Sequence, residues 1–328
     1  MVLPRRIAFI IWIAMLSLPN AWGQGQESFK LFPVHENGKW GYIDRTGKVI
    51  IKPQFDEVGS HFPLSTSRTP GWFEGLAAVQ IGGKWGYIDQ TGKMVIKPQF
   101  TSAGRFSDGL ARVEIIEGGG LDGFIDRVGD IVIKPQFCTA SDFSEGLSAV
   151  TTNQDCGDFP DDSGIPTHGF IDKNGEMVIP ANFTSSWMFV SGLAPVKIGS
   201  KYGYINKQGR VVVPPQFDFA ESFSDGMARV GISSTNPDEF YKFGYIDAGG
   251  RVVIEPRFDD AGNFSEGLAA VTSANHHGYI DRRGQVVIEL QFQAVQGPES
   301  FHRGIALVWK DGKAAYIDKA GKYIWKAK

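Results

Sequence analysis

Apolar residues along this chain come in three short runs that recur in a fixed order. Between Gly75 and Phe106 the order is Leu76-Ala77-Ala78-Val79, a glycine turn at Gly82-Gly83, and Lys84-Trp85-Gly86-Tyr87-Ile88-Asp89. A second turn, Met94-Val95-Ile96 and Pro98-x-Phe100 follow. Short apolar runs bounded by Gly and Pro predict β-strands. Asp89-Gln90-Thr91-Gly92 predicts a type I hairpin turn, with Asp at its first position and Gly92 in the left-handed conformation. Successive apolar residues in Met94-Val95-Ile96 predict a strand covered on both faces, and Pro98 ends it because proline cannot donate to a ladder. Phe100, Ala103 and Phe106, three residues apart, predict a helical turn leading to the next copy.

The order repeats almost to the end of the chain. The Gly of Gly-Tyr-Ile-Asp recurs at Gly41, Gly86, Gly123, Gly169, Gly203, Gly244 and Gly278, with a degenerate copy around Ala315. A period of about 34 residues with loops of varying length marks a repeat array, in which each unit buries its apolar surface only on its neighbours. Eight units start near residues 29, 75, 109, 146, 192, 226, 267 and 304, within an array spanning 24–328. The predicted fold is all-β: eight three-stranded antiparallel meanders, each with a short helical connector, in a curved, propeller-like array. An open β-solenoid or superhelix is the alternative. The eighth unit lacks Pro-x-Phe.

Residues 1–23 differ from the rest: Arg5-Arg6, an apolar stretch from Ile7 to Leu18, then Ala21-Trp22-Gly23. A basic start, a short hydrophobic core and small residues at the end read as a secretory signal peptide cleaved after Gly23, too short for a membrane span. The expected address is the periplasm or the outside of the cell. Removing this segment takes away two arginines and no acids, and moves the formal charge from −3 to −5. Mild acidity with mixed signs argues against a nucleic-acid partner, which needs clustered Lys and Arg. No later stretch is apolar enough to span a membrane. Cys138 and Cys156, both in the exported part, are a candidate disulfide, with two separate thiols as the alternative.

Chemistry is sparse. The repeated turn pairs are Asp44 with Gly47, Asp89 with Gly92, Asp126 with Gly129, Asp172 with Gly175, Asn206 with Gly209, Asp247 with Gly250, Asp281 with Gly284 and Asp318 with Gly321. Asn206 keeps the turn hydrogen bonds without the charge, so these residues read as turn caps and not as calcium ligands. The residue before the motif Gly is aromatic at Trp40, Trp85, Tyr202 and Phe243, and Asp122, His168, His277 or Ala314 elsewhere. Repeat packing accounts for such aromatics, and those four are the candidate ligand-stacking residues. Gly118 to Gly123 matches G-x-G-x-x-G but lies between two strands, which removes the dinucleotide reading. No nucleophile, base or metal constellation is present, so neither an enzyme nor a cofactor is expected.

Lys39-Trp40-Gly41-Tyr42-Ile43-Asp44 and Lys84 to Asp89, with Ile-Lys-Pro-Gln-Phe and Phe-Ser-Glu-Gly-Leu-Ala in order, resemble the WG-repeat (KWG-repeat) family of mostly bacterial proteins. The resemblance covers nearly all of residues 29–328. It departs where Trp is lost in six copies and where Ala315 replaces Gly. It implies a β-rich scaffold, exported or joined to other domains, with no general activity. The expected function is a non-enzymatic binding scaffold for a protein partner, through the insertions Ser60–Pro70, Asn153–Pro166 and Ser233–Tyr241. A cell-wall or polysaccharide-binding module using the four aromatics is the alternative.

Overall fold

The computed structural model describes residues 31–59, 72–115, 120–151, 168–234, 241–293 and 299–327. The expected signal peptide, the insertions Ser60–Pro70 and Asn153–Pro166, Cys156 and residues 235–240 lie outside these. Among the described residues every regular element is a β-strand, arranged in eight small sheets, one per unit. In the fourth unit, Ser148–Thr151, His168–Ile171 and Met177–Phe183 form an antiparallel meander, and Thr139–Ala140 pairs on the free side of the first of them.

That added strand corrects the helical turn expected after Pro-x-Phe. In the third unit Ser102–Ser107 is a strand, with Phe106 opposite Ala111 and Ala103 opposite Val113. One extra residue bulges on its side, so a spacing of three falls on one face of a strand. Phe100, Ala103 and Phe106 are all buried. The segment joins the sheet of the next unit, so the sheets of units three to seven have four strands where three were expected. The second unit has five, and only the first and eighth have three.

The expected two-sided burial of the third strand is also corrected. This strand is a sheet edge, and its first two apolar residues stay open, as Val49 at 47% and Ile50 at 40% exposure show. Its third residue is buried in seven units, from Ile51 at 3% to Ile288 at 4%. It lies under the turn glycine of the next unit: a Cβ on Gly92 would stand 3.1 Å from Ile51 Cγ1, and one on Gly321 3.2 Å from Ile288 Cγ2.

Each joint between units is built the same way. An edge-to-face or tilted aromatic pair fills its centre, with ring centroids 5.0 Å apart for Tyr42–Trp72, 4.9 Å for Tyr87–Phe106 and 4.6 Å for Tyr279–Phe301. Where the first ring is a tyrosine it can anchor the joint, as Tyr87 Oη donates to the Gly104 carbonyl at 2.8 Å and Tyr204 Oη to that of Glu221 at 2.8 Å. Beside the pair, Ser107 Oγ donates to the Phe143 carbonyl at 2.6 Å and Ser265 Oγ to that of Phe301 at 2.8 Å. At the rim of four joints, the acid before one unit's first strand meets the base that follows the next unit's turn Asp or Asn. The pairs are Glu74–Arg127 at 3.5 Å, Glu145–Lys207 at 3.1 Å, Asp225–Arg282 and Glu266–Lys319 at 2.9 Å. Ser191 and Ala248 occupy these two places at one joint, losing both charges together.

The motif glycine has its own cause. Trp85 pairs with Phe100 and Tyr87 with Ile96, so the third strand carries two extra residues opposite Gly86. The excess backbone arches over the glycine: a Cβ there would lie 2.4 Å from the Ile96 carbonyl oxygen and 2.7 Å from Pro98 N. In the eighth unit Tyr316 pairs with Trp325 and Ala315 with Lys326, with no arch, and alanine fits.

Serial antiparallel meanders are the blade pattern of propeller-like arrays. Among the described residues the ring-closing joint is not made. Trp325, in the place of Ile51, is 51% exposed, and Gly47 has open space where the other turn glycines meet a neighbour. Arg303 and Arg45 hold the two rim places of that joint, so closure would oppose like charges.

Candidate interaction surface

The eight turn residues behave alike. Asp89 Oδ1 accepts the N–H groups of Thr91 at 2.9 Å and Lys93 at 3.0 Å, and Asn206 Oδ1 accepts those of Gln208 at 3.1 Å and Arg210 at 3.0 Å. Gly92 has φ +86° and Gly209 φ +73°. The Thr91 hydroxyl and these backbone donors hold the Asp89 carboxyl below its ordinary pKa. Among the described residues no three His, Cys, Asp or Glu side chains converge on a metal position.

The opposite corner of each unit, where its first and second strands meet, varies. Two residues turn the chain at Asn37-Gly38, Gly82-Gly83, Gly199-Ser200, Ala274-Asn275 and Asp311-Gly312. In the third, fourth and sixth units the flanking strands end at Glu114, Thr151 and Ser233 and resume at Asp122, His168 and Tyr241. The long connections therefore leave the array at one recurrent corner, next to the residue that precedes the motif Gly.

Those residues are held as follows. Trp40 is half-buried with its ring centroid 4.8 Å from that of His35, and Trp85 packs on the core around Tyr87 and Ile96. Asp122 is buried and takes Arg112 Nη1 at 3.0 and 3.1 Å and the Ala140 N–H at 2.8 Å. His168, half-buried, has Nδ1 3.3 Å from Ser186 Oγ, and burial pushes its pKa down. Tyr202 Oη donates to Ser185 Oγ at 3.2 Å, and Lys197 Nζ lies 5.8 Å from its ring. Phe243 faces the Arg229 guanidinium at 5.0 Å, which also covers Phe219 and binds Glu221 at 2.6 Å. All four candidate stacking aromatics thus pack on neighbours, and Phe243 has a face taken by a cation. In the last unit the aromatic moves across the hairpin, where Trp309 faces Ala314.

A carboxylate at the end of one unit pins the same corner of the next. Asp259 binds Lys242 at 2.6 Å and accepts the Ala274 N–H at 2.8 Å, and Asp218 does the same with Lys201 at 2.6 Å and Ser233 at 2.9 Å. The Lys242 hydrogen bond, outweighing desolvation, lowers the Asp259 pKa. Cys138 stands at this place in the third unit and is disulfide-bonded. Sequence reasoning passed over Arg112 and Arg229, and took Asp122 only as a non-aromatic replacement before the motif Gly. The signal was an arginine at a strand position that is alanine or proline in most other units.

The family model described as "WG containing repeat" matches residues 40–61, 71–85, 85–117, 123–154, 169–202, 202–232, 243–274 and 278–313. No curated protein matches the chain. Among solved structures, BamB from Moraxella catarrhalis is similar at 11% identity and TM-score 0.46, covering 79% of this chain and 86% of its own. Apo AztD from Citrobacter koseri is similar at 12% and 0.44, covering 91% and 94%. Hsv2 from Kluyvelomyces marxianus is similar at 8% and 0.44, covering 78% and 95%. These likenesses are remote. No helix among the described residues is long and apolar enough to cross a membrane.

Proposed function

The chain belongs to the WG containing repeat family, and on that premise we propose that it is a non-enzymatic, exported scaffold that holds a protein partner through loops at one corner of the array. One observation carries this reading. Five units close that corner with two residues, while three send out long connections from the same place on an otherwise uniform frame. Recognition commonly uses variable loops on a rigid support. The frame's polar residues support a structural role, since the turn acids, rim pairs and Asp259-type carboxylates are engaged in turns and joints. A glycan partner has less support, because the four aromatics are packed against neighbours.

A photocrosslinking residue placed at Asp155, Asp162 or Asp238, with one at Gln90 on the turn corner as control, tests the reading in cells. It requires one reproducible protein adduct from the loop positions and none from position 90. Equal labelling from both corners, or no adduct from any, counts against it. Export is tested by the N-terminus of the mature protein, expected at Gln24; an uncleaved cytoplasmic chain contradicts it.

A further inference from the structure

The eighth unit differs from the others along its outer edge. In the first seven units the edge strand is broken by the arch over the motif glycine, as at Gly41, Gly86 and Gly278. In six of them a proline within the arch removes a donor as well. Both features blunt an edge against a further strand. Tyr323–Lys326 has neither: Ala315 and Tyr316 pair with Lys326 and Trp325 in step, and only the one-residue bulge at Ile324, which every unit shares at this place, interrupts the strand. It is also the most open apolar edge, with Ile324 at 57% and Trp325 at 51% exposure. A groove of about 220 Å³ runs beside it, lined by Lys310, Lys313 and Lys326 with Ala314 and Ala315, and Asp311 is its single acid. Lys322 adds a further exposed cation on the same strand's approach.

We propose that this edge and groove bind an extended, acidic, proline-free segment of a partner protein, which adds to the sheet as a further strand. Main-chain bonds to an unpaired edge supply affinity, and side chains on alternate positions supply selectivity. Trp325 and Ile324 offer apolar contact, and the lysines select acid. A second copy is the poorer occupant, since pairing this strand antiparallel with itself brings Lys322 and Lys326 against a like set. The chain's own first unit is poorer too, because it sets Arg45 against Arg303. The site uses no residue of the three insertions, so its failure leaves the loop reading standing.

The test uses the full mature chain and two labelled seven-residue probes, Glu-Val-Glu-Phe-Glu-Val-Glu and its counterpart with Lys for every Glu, read by fluorescence anisotropy. The acidic peptide should bind at least about tenfold more tightly and weaken as salt rises. Trp325→Ala and the pair Lys313→Glu with Lys326→Glu should each cost about tenfold or more, with an unchanged circular dichroism spectrum and melt. Equal binding of both peptides, or acidic-peptide binding that survives these changes, overturns the proposal. So does sedimentation showing a dimer that Trp325→Ala dissolves, which would assign the edge to a second copy.

Discussion

Gly86→Ala tests the origin of the motif glycine most sharply. The added Cβ would sit 2.4 Å from the Ile96 carbonyl oxygen, 2.7 Å from Pro98 N and 2.8 Å from Lys97 C. All three are main-chain atoms, so no rotamer change relieves the overlap, and the arch must lift by about 1 Å. Its two ends are fixed, because Ile96 and Phe100 are each 2% exposed and pack in the core. Overpacking of a fixed core costs about 1–3 kcal/mol, occasionally more, and this case belongs at the upper end, about 3 kcal/mol or above. Gly83→Ala is the control: its φ is +75° with nothing within 4 Å, so only the left-handed backbone is penalised, by about 1–2 kcal/mol. Ala315→Gly, at the same motif place without an arch, should cost about 0.5–1 kcal/mol through backbone freedom. Urea unfolding followed by circular dichroism and tryptophan fluorescence ranks the three. If Gly86→Ala is no worse than Gly83→Ala, the arch does not explain the glycine.

Gly92→Val should destabilise by about 1–3 kcal/mol, since a β-branched residue is strained at φ +86° and meets Ile51. Asp89→Asn should be nearly neutral, as Asn206 makes the same bonds; a melt lowered by chelator and by this change would instead reveal an ion site. Phe106→Ala empties half of one aromatic joint and should cost about 3–5 kcal/mol, read by thermal melting. Asp259 has a folded pKa below its unfolded value of about 3.9, so its contribution is present above that pH and lost as pH falls through the folded pKa. Melting temperature should therefore hold from pH 7 to about 5 and fall below about 4, less steeply in Asp259→Asn; an equal acid slope in that variant refutes the assignment.

The number of units and their turn chemistry were legible because both depend on local signals, a glycine with positive φ and an acid capping the same turn. The fourth strand was not legible, since the bulge between Ala103 and Phe106 imitates a helical spacing. The third strand misled for a related reason: Val49 and Ile50 suit an edge strand by β-propensity alone, and only Ile51 reports burial. Sequence did hold a clue to the arch, because the seven units with a Phe four residues beyond the buried third-strand residue, from Phe55 to Phe292, are the seven that keep the motif Gly. The rim pairs left a similar trace in the joint loss of charge at Ser191 and Ala248. The corner residues Asp122 and Arg229 were hidden because their partners come from distant positions, Ala140 at the next unit and Phe219 before the strand.

A variant with residues 116–121, 153–166 and 235–240 each reduced to an Asn-Gly turn separates frame from function. It should keep the β-sheet spectrum and lose its in-cell protein adducts, now probed by a non-specific crosslinker, while the parent chain retains them. A variant that keeps the same adducts at the parent yield would contradict the claim that the corner loops hold the partner.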